Sequence, residues 1–317
     1  MKLTLLRSLF FISVLAACSS PRRSTESIQK TTIDPVELQP RIDSGQAPQS
    51  LMELPQTQFG GFVLKPGFYE SDFKTYCLQP GTPDPHNGDA YVQGPISGYR
   101  KDIIESVLIN SRDQKDLEQR NIQLLLWSVV TGSNFNNLSY AVQSDAARLL
   151  TPKQIFELKG GVVGVLKEVS YTTGLVNSNS GLKRLFETGI HSYEAYEDLA
   201  VRHDQSQIVK RGVKFDQWYR QKENYYVRFV PESYKKVKIQ VYVPDGLLDS
   251  NNRLDGEYLV FDPTGQQGIP TFTNAQRLGI GSPVIDVVRA VIQINKTFPP
   301  GRKAPAPQKK NNSKIPT

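Results

Sequence analysis

The sequence predicts an α+β fold: a mainly helical first part led by one or two strands, then a small antiparallel sheet and a terminal helix. Apolar residues recur at helical spacing between about residues 100 and 160. Beyond about residue 225 the period changes to alternation, the mark of strands with one face covered. Clusters of glycine and proline separate the two regimes. On this reading residues 58–190 form the helical part and residues 191–300 the mixed part with antiparallel strands. Residues 18–57 and 301–317 show no periodic apolar face and are expected to be disordered.

Order is expected to begin at Gly60-Gly61-Phe62-Val63-Leu64. Phe68 to Leu78 alternates and puts Tyr69, Phe73 and Cys77 on one side of a strand. Three prolines and two glycines among the eleven residues Gln79–Asp89 argue against regular structure there. Ile103, Ile104, Val107 and Leu108 then mark a helix after the break at Gly98. Ile122, Leu125, Leu126, Val129 and Val130 mark a second, and Leu124 and Trp127 widen its stripe until it is apolar nearly all round, the pattern of a central helix. Ser139 can cap a third helix carrying Val142, Ala146 and Leu149. Thr151-Pro152-Lys153-Gln154 opens a fourth as a capping box with proline at the first helical position. Ile155, Phe156 and Leu158 supply its apolar contacts, and Gly160-Gly161 its stop. Ser192 to Val209 is amphipathic, highly charged and expected at the surface. Tyr225–Val230 and Val237–Val243 read as strands, the second with Val237, Ile239, Val241 and Val243 inward. Tyr258-Leu259-Val260-Phe261 is expected as a third strand, Thr264–Pro283 as a long loop, and Ile285–Ile294 as the last helix.

The first residues carry a different message. Lys2 and Arg7 precede the short apolar run Leu9–Leu15, and small residues then lead into a cysteine, Leu15-Ala16-Ala17-Cys18. The run is well short of the roughly 20 apolar residues that span a bilayer. The four residues resemble the lipobox of bacterial lipoproteins. That resemblance implies cleavage after residue 17, a lipid on the Cys18 sulfur, and attachment of the mature chain to a membrane. Ser19, where an inner-membrane retention signal would have aspartate, implies the outer membrane of the cell envelope. Residues 18–57, with prolines at 21, 35, 40, 48 and 55, then read as a tether with a typical span of roughly 35 Å. The runs GFYESDFKTYCLQPGT, QRNIQLLLW, LLTPKQIFELKGG, FDPTGQQGIP and QRLGIG resemble segments of uncharacterised exported bacterial proteins, which implies no activity.

A formal charge of +7 invites a nucleic-acid reading, but the charge is badly distributed for one. Two cations leave with the signal peptide, and Arg302, Lys303, Lys309, Lys310 and Lys314 lie in a terminal stretch without acids, so residues 18–300 are neutral. With Cys18 acylated, Cys77 is the remaining cysteine, and an intramolecular disulfide is excluded.

Candidate chemistry is sparse. Cys77 and His86 could serve as nucleophile and base if the loop brought them together, which would make a cysteine-dependent envelope hydrolase. Cys77 equally fits its strand as a small buried apolar residue. Asp84, His86 and Asp89 offer metal-binding atoms at no recognised metal spacing. Asp249–Gly256 superficially looks like a calcium loop, but Arg253 and Leu254 stand where an oxygen ligand and a glycine are needed, so a hairpin turn is expected. Gly160–Gly164 follows a helix instead of opening one, which argues against phosphate. His191 and His203 are expected at the surface. Phe272, Gln276 and Arg277, on the long loop, form a candidate contact surface. No cofactor is implied. The expected function is a non-enzymatic lipoprotein of the envelope that binds protein or cell-wall partners and no nucleic acid.

Overall fold

The computed structural model describes residues 38–39, 47–160, 176–208, 218–288 and 290–294. Six strands carry its architecture: β1 (Gly67–Cys77), β2 (Tyr91–Pro95), β3 (Tyr226–Ser233), β4 (Lys236–Val243), β5 (Gln266–Pro270) and β6 (Leu278–Pro283). Among the described residues six helices accompany them: α1 (Lys101–Asn110), α2 (Gln119–Thr131), α3 (Tyr140–Leu149), α4 (Pro152–Leu158), α5 (Val176–Glu187) and α6 (Tyr193–Ala200).

Local alternation explains the hairpin of β3 and β4. Inward positions of both strands are buried in turn, and the register runs from Tyr226 opposite Tyr242 to Ser233 opposite Lys236. An irregularity between Pro231 and Ser233 accommodates a proline that cannot donate to the ladder. Beyond the hairpin the pairings are distant in sequence. β1 is the central strand: β4 lies antiparallel along one edge, and β6 along the far half of the other. Gln49–Ser50 fills the edge that β6 leaves open, parallel to Tyr69–Glu70. The full order is Leu38–Gln39, Trp218–Arg220, β3, β4, β1, β6, β5, β2, with Gln49–Ser50 off that path.

This sheet corrects the expected fold class. The first part is not mainly helical with a separate small sheet behind it, because its leading strand is the middle of a nine-stranded, mostly antiparallel sheet. The sheet curls nearly into a barrel. Tyr219, near one end of the order, hydrogen-bonds Thr271 beside β5 near the other, Oη to Oγ1 at 2.9 Å, and packs with Ala90, Val92, Ile269 and Phe272.

Three local expectations change with it. Thr264–Pro283 is not a loop, since it contains β5 and β6. Glycines make β6 fit where side chains would not: a Cβ on Gly281 would fall 2.7 Å from the Tyr76 ring, and one on Gly279 3.1 Å from Leu108 of α1. Tyr258–Phe261 divides between two pairings, Glu257–Tyr258 with Arg253–Leu254 and Val260–Phe261 with Phe62–Val63. The expected terminal helix is not found among the described residues: Val284 and Ile285 form a bend after Pro283, and Val291–Ile292 pairs in parallel with Gln56–Thr57.

α1 to α4 follow their local signals, whereas α5 was not expected from the sequence. α2 is buried from Ile122 to Val129 on every side and ends at Gly132 with φ 68°. Its Gln123 stands in for a neighbouring strand. The side-chain oxygen accepts from Cys77 N–H at 2.8 Å and the amide donates to Cys77 O at 3.0 Å. Thr151 and Gln154 form the capping box of α4, though Phe156 is exposed and Leu158 is the buried contact. α6 stops at Ala200, well before Val209, and the chain continues as the short strand Val201–Arg202.

The start of the body also lies further upstream than composition indicates. Leu51, Met52 and Leu54, inside the stretch read as tether, are buried in the main core.

Candidate functional site

The sequence-based candidates converge on the segment Gln79–Asp89. It is laced to the chain leaving α6 on one side and to Thr273–Arg277 on the other. Thr82–Pro83 pairs in parallel with Val201–Arg202, and Asp84 N–H donates to Arg202 O at 2.7 Å. Gln276 N–H donates to Pro83 O at 3.0 Å. Prolines withhold donors from any long ladder, so the remaining amides find single partners in neighbouring segments.

Cys77 and His86 do not form a catalytic pair. Cys77 is fully buried at the end of β1, and burial pushes its thiol up to about 12. A thiol that keeps its proton near neutrality is a poor nucleophile. His86 has a side chain 46% exposed, and its Nδ1 lies 2.8 Å from Asp89 Oδ2.

Ser206 joins that pair, giving the composition of a hydrolytic triad without its wiring. Ser206 Oγ donates to Asp89 Oδ1 at 2.7 Å and sits 3.2 Å from His86 Nδ1, the nitrogen that faces the carboxylate. A triad places serine and carboxylate on opposite ring nitrogens, so that the imidazole takes the hydroxyl proton. Here the proton goes to the carboxylate. Asp89, 1% exposed, also accepts from His86 N–H at 3.1 Å and thereby pins the turn.

Asp84 faces elsewhere. Its Oδ1 accepts from Tyr234 N–H at 2.8 Å and from Gln276 Nε2 at 3.4 Å. Burial raises its pKa, opposed by the Tyr234 amide and by the charges of His203 and Lys235. With the two carboxylates committed to different partners, Asp84, His86 and Asp89 do not converge. Among the described residues no group of three or more His, Cys, Asp or Glu could hold a metal ion.

Behind Asp84 lies a network that sequence reasoning missed. Tyr234 donates its hydroxyl to Glu197, and Tyr193 Oη lies 2.8 Å from Tyr234 Oη. Glu197 also meets Lys235 Nζ at 2.8 Å, and that ammonium lies over the rings of Tyr193 and Tyr234. Tyr193 stacks on the buried Trp127 of α2 at 5.7 Å. Burial, then the bonds to Glu197 and Tyr193, drives the Tyr234 hydroxyl far above its ordinary pKa. The network therefore holds its protons and clamps α2, α6 and the β3–β4 turn together. Its members come from separate elements at ordinary spacing, so the sequence carried no signal for it.

The candidate contact loop is a correction. Phe272, Gln276 and Arg277 are 8%, 0% and 5% exposed, because the segment enters β6 instead of looping outward. Burial lowers the Arg277 guanidinium to about 10. Asp249–Gly256 is a hairpin turn: Asp249 Oδ1 accepts from Asn251 and Arg253 N–H, and Asp255 and Gly256 take positive φ. Cys18 and the five tail cations lie outside the described residues.

What remains at the surface of the site is polar and fixed: His86, Arg202, Asp204 and Lys235, all exposed, on segments pinned from beneath. No protein-family model, curated protein sequence or solved structure matches this chain.

Proposed function

We propose that the chain is a lipid-anchored, non-enzymatic lipoprotein of the bacterial outer membrane, whose β-rich body binds protein or cell-wall partners. The observation that carries this reading is Leu15-Ala16-Ala17-Cys18 after a charged, short apolar leader. Support for the absence of catalysis comes from the site. The cysteine is buried with a raised pKa, the histidine is bonded to Asp89, and the serine proton is committed to the same carboxylate. Since Leu38–Gln39 already pairs with Trp218–Arg220, only residues 18–37 remain as tether. A linker of about 20 residues has a typical span of roughly 25 Å, short enough for the body to meet the bilayer.

The test is acylation of the full precursor. Radiolabelled palmitate should enter the unmodified chain, which should sediment with outer membranes. Cys18→Ala should lose the label and appear uncleaved or soluble. A Cys18→Ala chain that still takes up palmitate would overturn the reading.

A further inference from the structure

From Val284 to Val291 the chain breaks the usual rule for apolar side chains. Val284, Ile285, Val287, Val288 and Val291 are 44%, 68%, 52%, 50% and 54% exposed, five of the eleven exposed large apolar residues among the described ones. The other six are scattered singly, as on any protein surface. A run of this kind marks a contact surface.

The backbone beneath these side chains is held in place. Val284 N–H donates to Asp72 O at 2.8 Å, Gln56 N–H to Ala290 O at 2.9 Å, and Gln58 exchanges two hydrogen bonds with Ile294. Lys115 bonds Asp286 through both its carbonyl and its carboxylate, so the one acid of the ribbon is already neutralised. The strip is thus tied down near both ends, at Val284 and at Ala290–Ile294, and leaves its valines and isoleucine exposed.

The chain beyond the ribbon identifies the occupant. Residues 295–317 carry Lys296, Arg302, Lys303, Lys309, Lys310 and Lys314 and no acid. An apolar strip continuous with a run of cations complements a surface that is negative outside and hydrocarbon within. We infer that the exposed strip of Val284, Ile285, Val287, Val288 and Val291 is a second membrane contact that lays the body on an anionic bilayer, the occupant to which the basic sequence after the strip is complementary. The inference builds on the lipid-anchored reading, in which a tether of about 20 residues keeps the body close enough for this strip to touch the membrane.

The experiment uses the mature chain, residues 18–317, with Cys18→Ser, so that no acyl group contributes. Binding is measured by co-sedimentation with phosphatidylglycerol-containing vesicles and with phosphatidylcholine vesicles. The chain should bind the anionic vesicles only, and should be released as salt shortens the Debye length from about 10 Å to about 3 Å. Ile285→Gln with Val288→Gln should weaken binding roughly tenfold or more, and glutamine at the six tail cations should do the same. Both ribbon positions are at least half exposed, so an unchanged thermal melt should accompany the loss. No binding to anionic vesicles at low salt would overturn the inference, as would full binding by either variant. Palmitate labelling at Cys18 is read separately, so the anchor and the ribbon can fail independently.

Discussion

Asp84 illustrates how single residues in this chain serve the fold before any chemistry. It sits at the junction of a proline-rich segment, the Tyr234 turn and Gln276, and burial outweighs the groups that favour its charge. A carboxyl with a raised folded pKa binds its proton more tightly in the native state than in the unfolded chain. Stability is therefore highest below the unfolded value of about 3.9, falls as pH rises from there through the folded value, and stays lower at neutrality. Asp84→Asn keeps an acceptor for Tyr234 N–H and removes the ionisation. It should be more stable than the parent at pH 7, with the advantage shrinking to nothing near pH 3. Thermal melts across that range test this, and a neutral-pH loss of stability would show that attraction to His203 and Lys235 dominates.

At the scale of elements, α2 and β1 are joined by a side chain acting as backbone. Gln123 supplies one donor and one acceptor to Cys77, both fully sheltered from water. Gln123→Leu fits the apolar surroundings but orphans a buried N–H and a buried C=O. At about 1–3 kcal/mol each, the loss should reach about 2–6 kcal/mol in denaturant unfolding. A loss below about 1 kcal/mol would mean the strand end finds other partners. The same elements show what the sequence could reveal. α2 was readable because its apolar stripe and the Gly132 stop are local, as was the Thr151–Gln154 box. β3 and β4 were readable because alternation is local too. β5 and β6 were not: GQQGIP and LGIGSP have no alternation, since β6 is buried on both faces and uses glycine to admit Tyr76 and Leu108. A glycine chosen for a neighbour's ring looks, in one dimension, like a loop. The site suffered likewise. Loop residues Asp84, His86 and Asp89 could be named from composition, but their partners Ser206, Tyr234 and Gln276 lie more than a hundred residues away.

For the molecule as a whole, the central strand depends on segments far from it in sequence, including the chain's own upstream edge. Gln49–Ser50 covers the free half of one β1 edge, and Gln56–Thr57 joins Phe62–Val63 to Val291–Ile292. Between them Leu51, Met52 and Leu54 enter the main core. Burying three such side chains contributes about 5–9 kcal/mol in sum, at roughly 1.5–3 kcal/mol each. That is comparable with the whole stability of a typical domain, about 5–15 kcal/mol. The composition of this stretch, polar with two prolines at 48 and 55, hides its importance, because three apolar residues beside a proline show no period. A chain of residues 47–294 should therefore fold cooperatively, whereas residues 58–294 should show no cooperative thermal transition and expose the apolar core to a hydrophobic dye. Limited proteolysis of the mature protein should leave a fragment beginning upstream of Gln49, not near Gln58. A stable, cooperatively melting 58–294 chain would show that the sheet closes without its upstream edge.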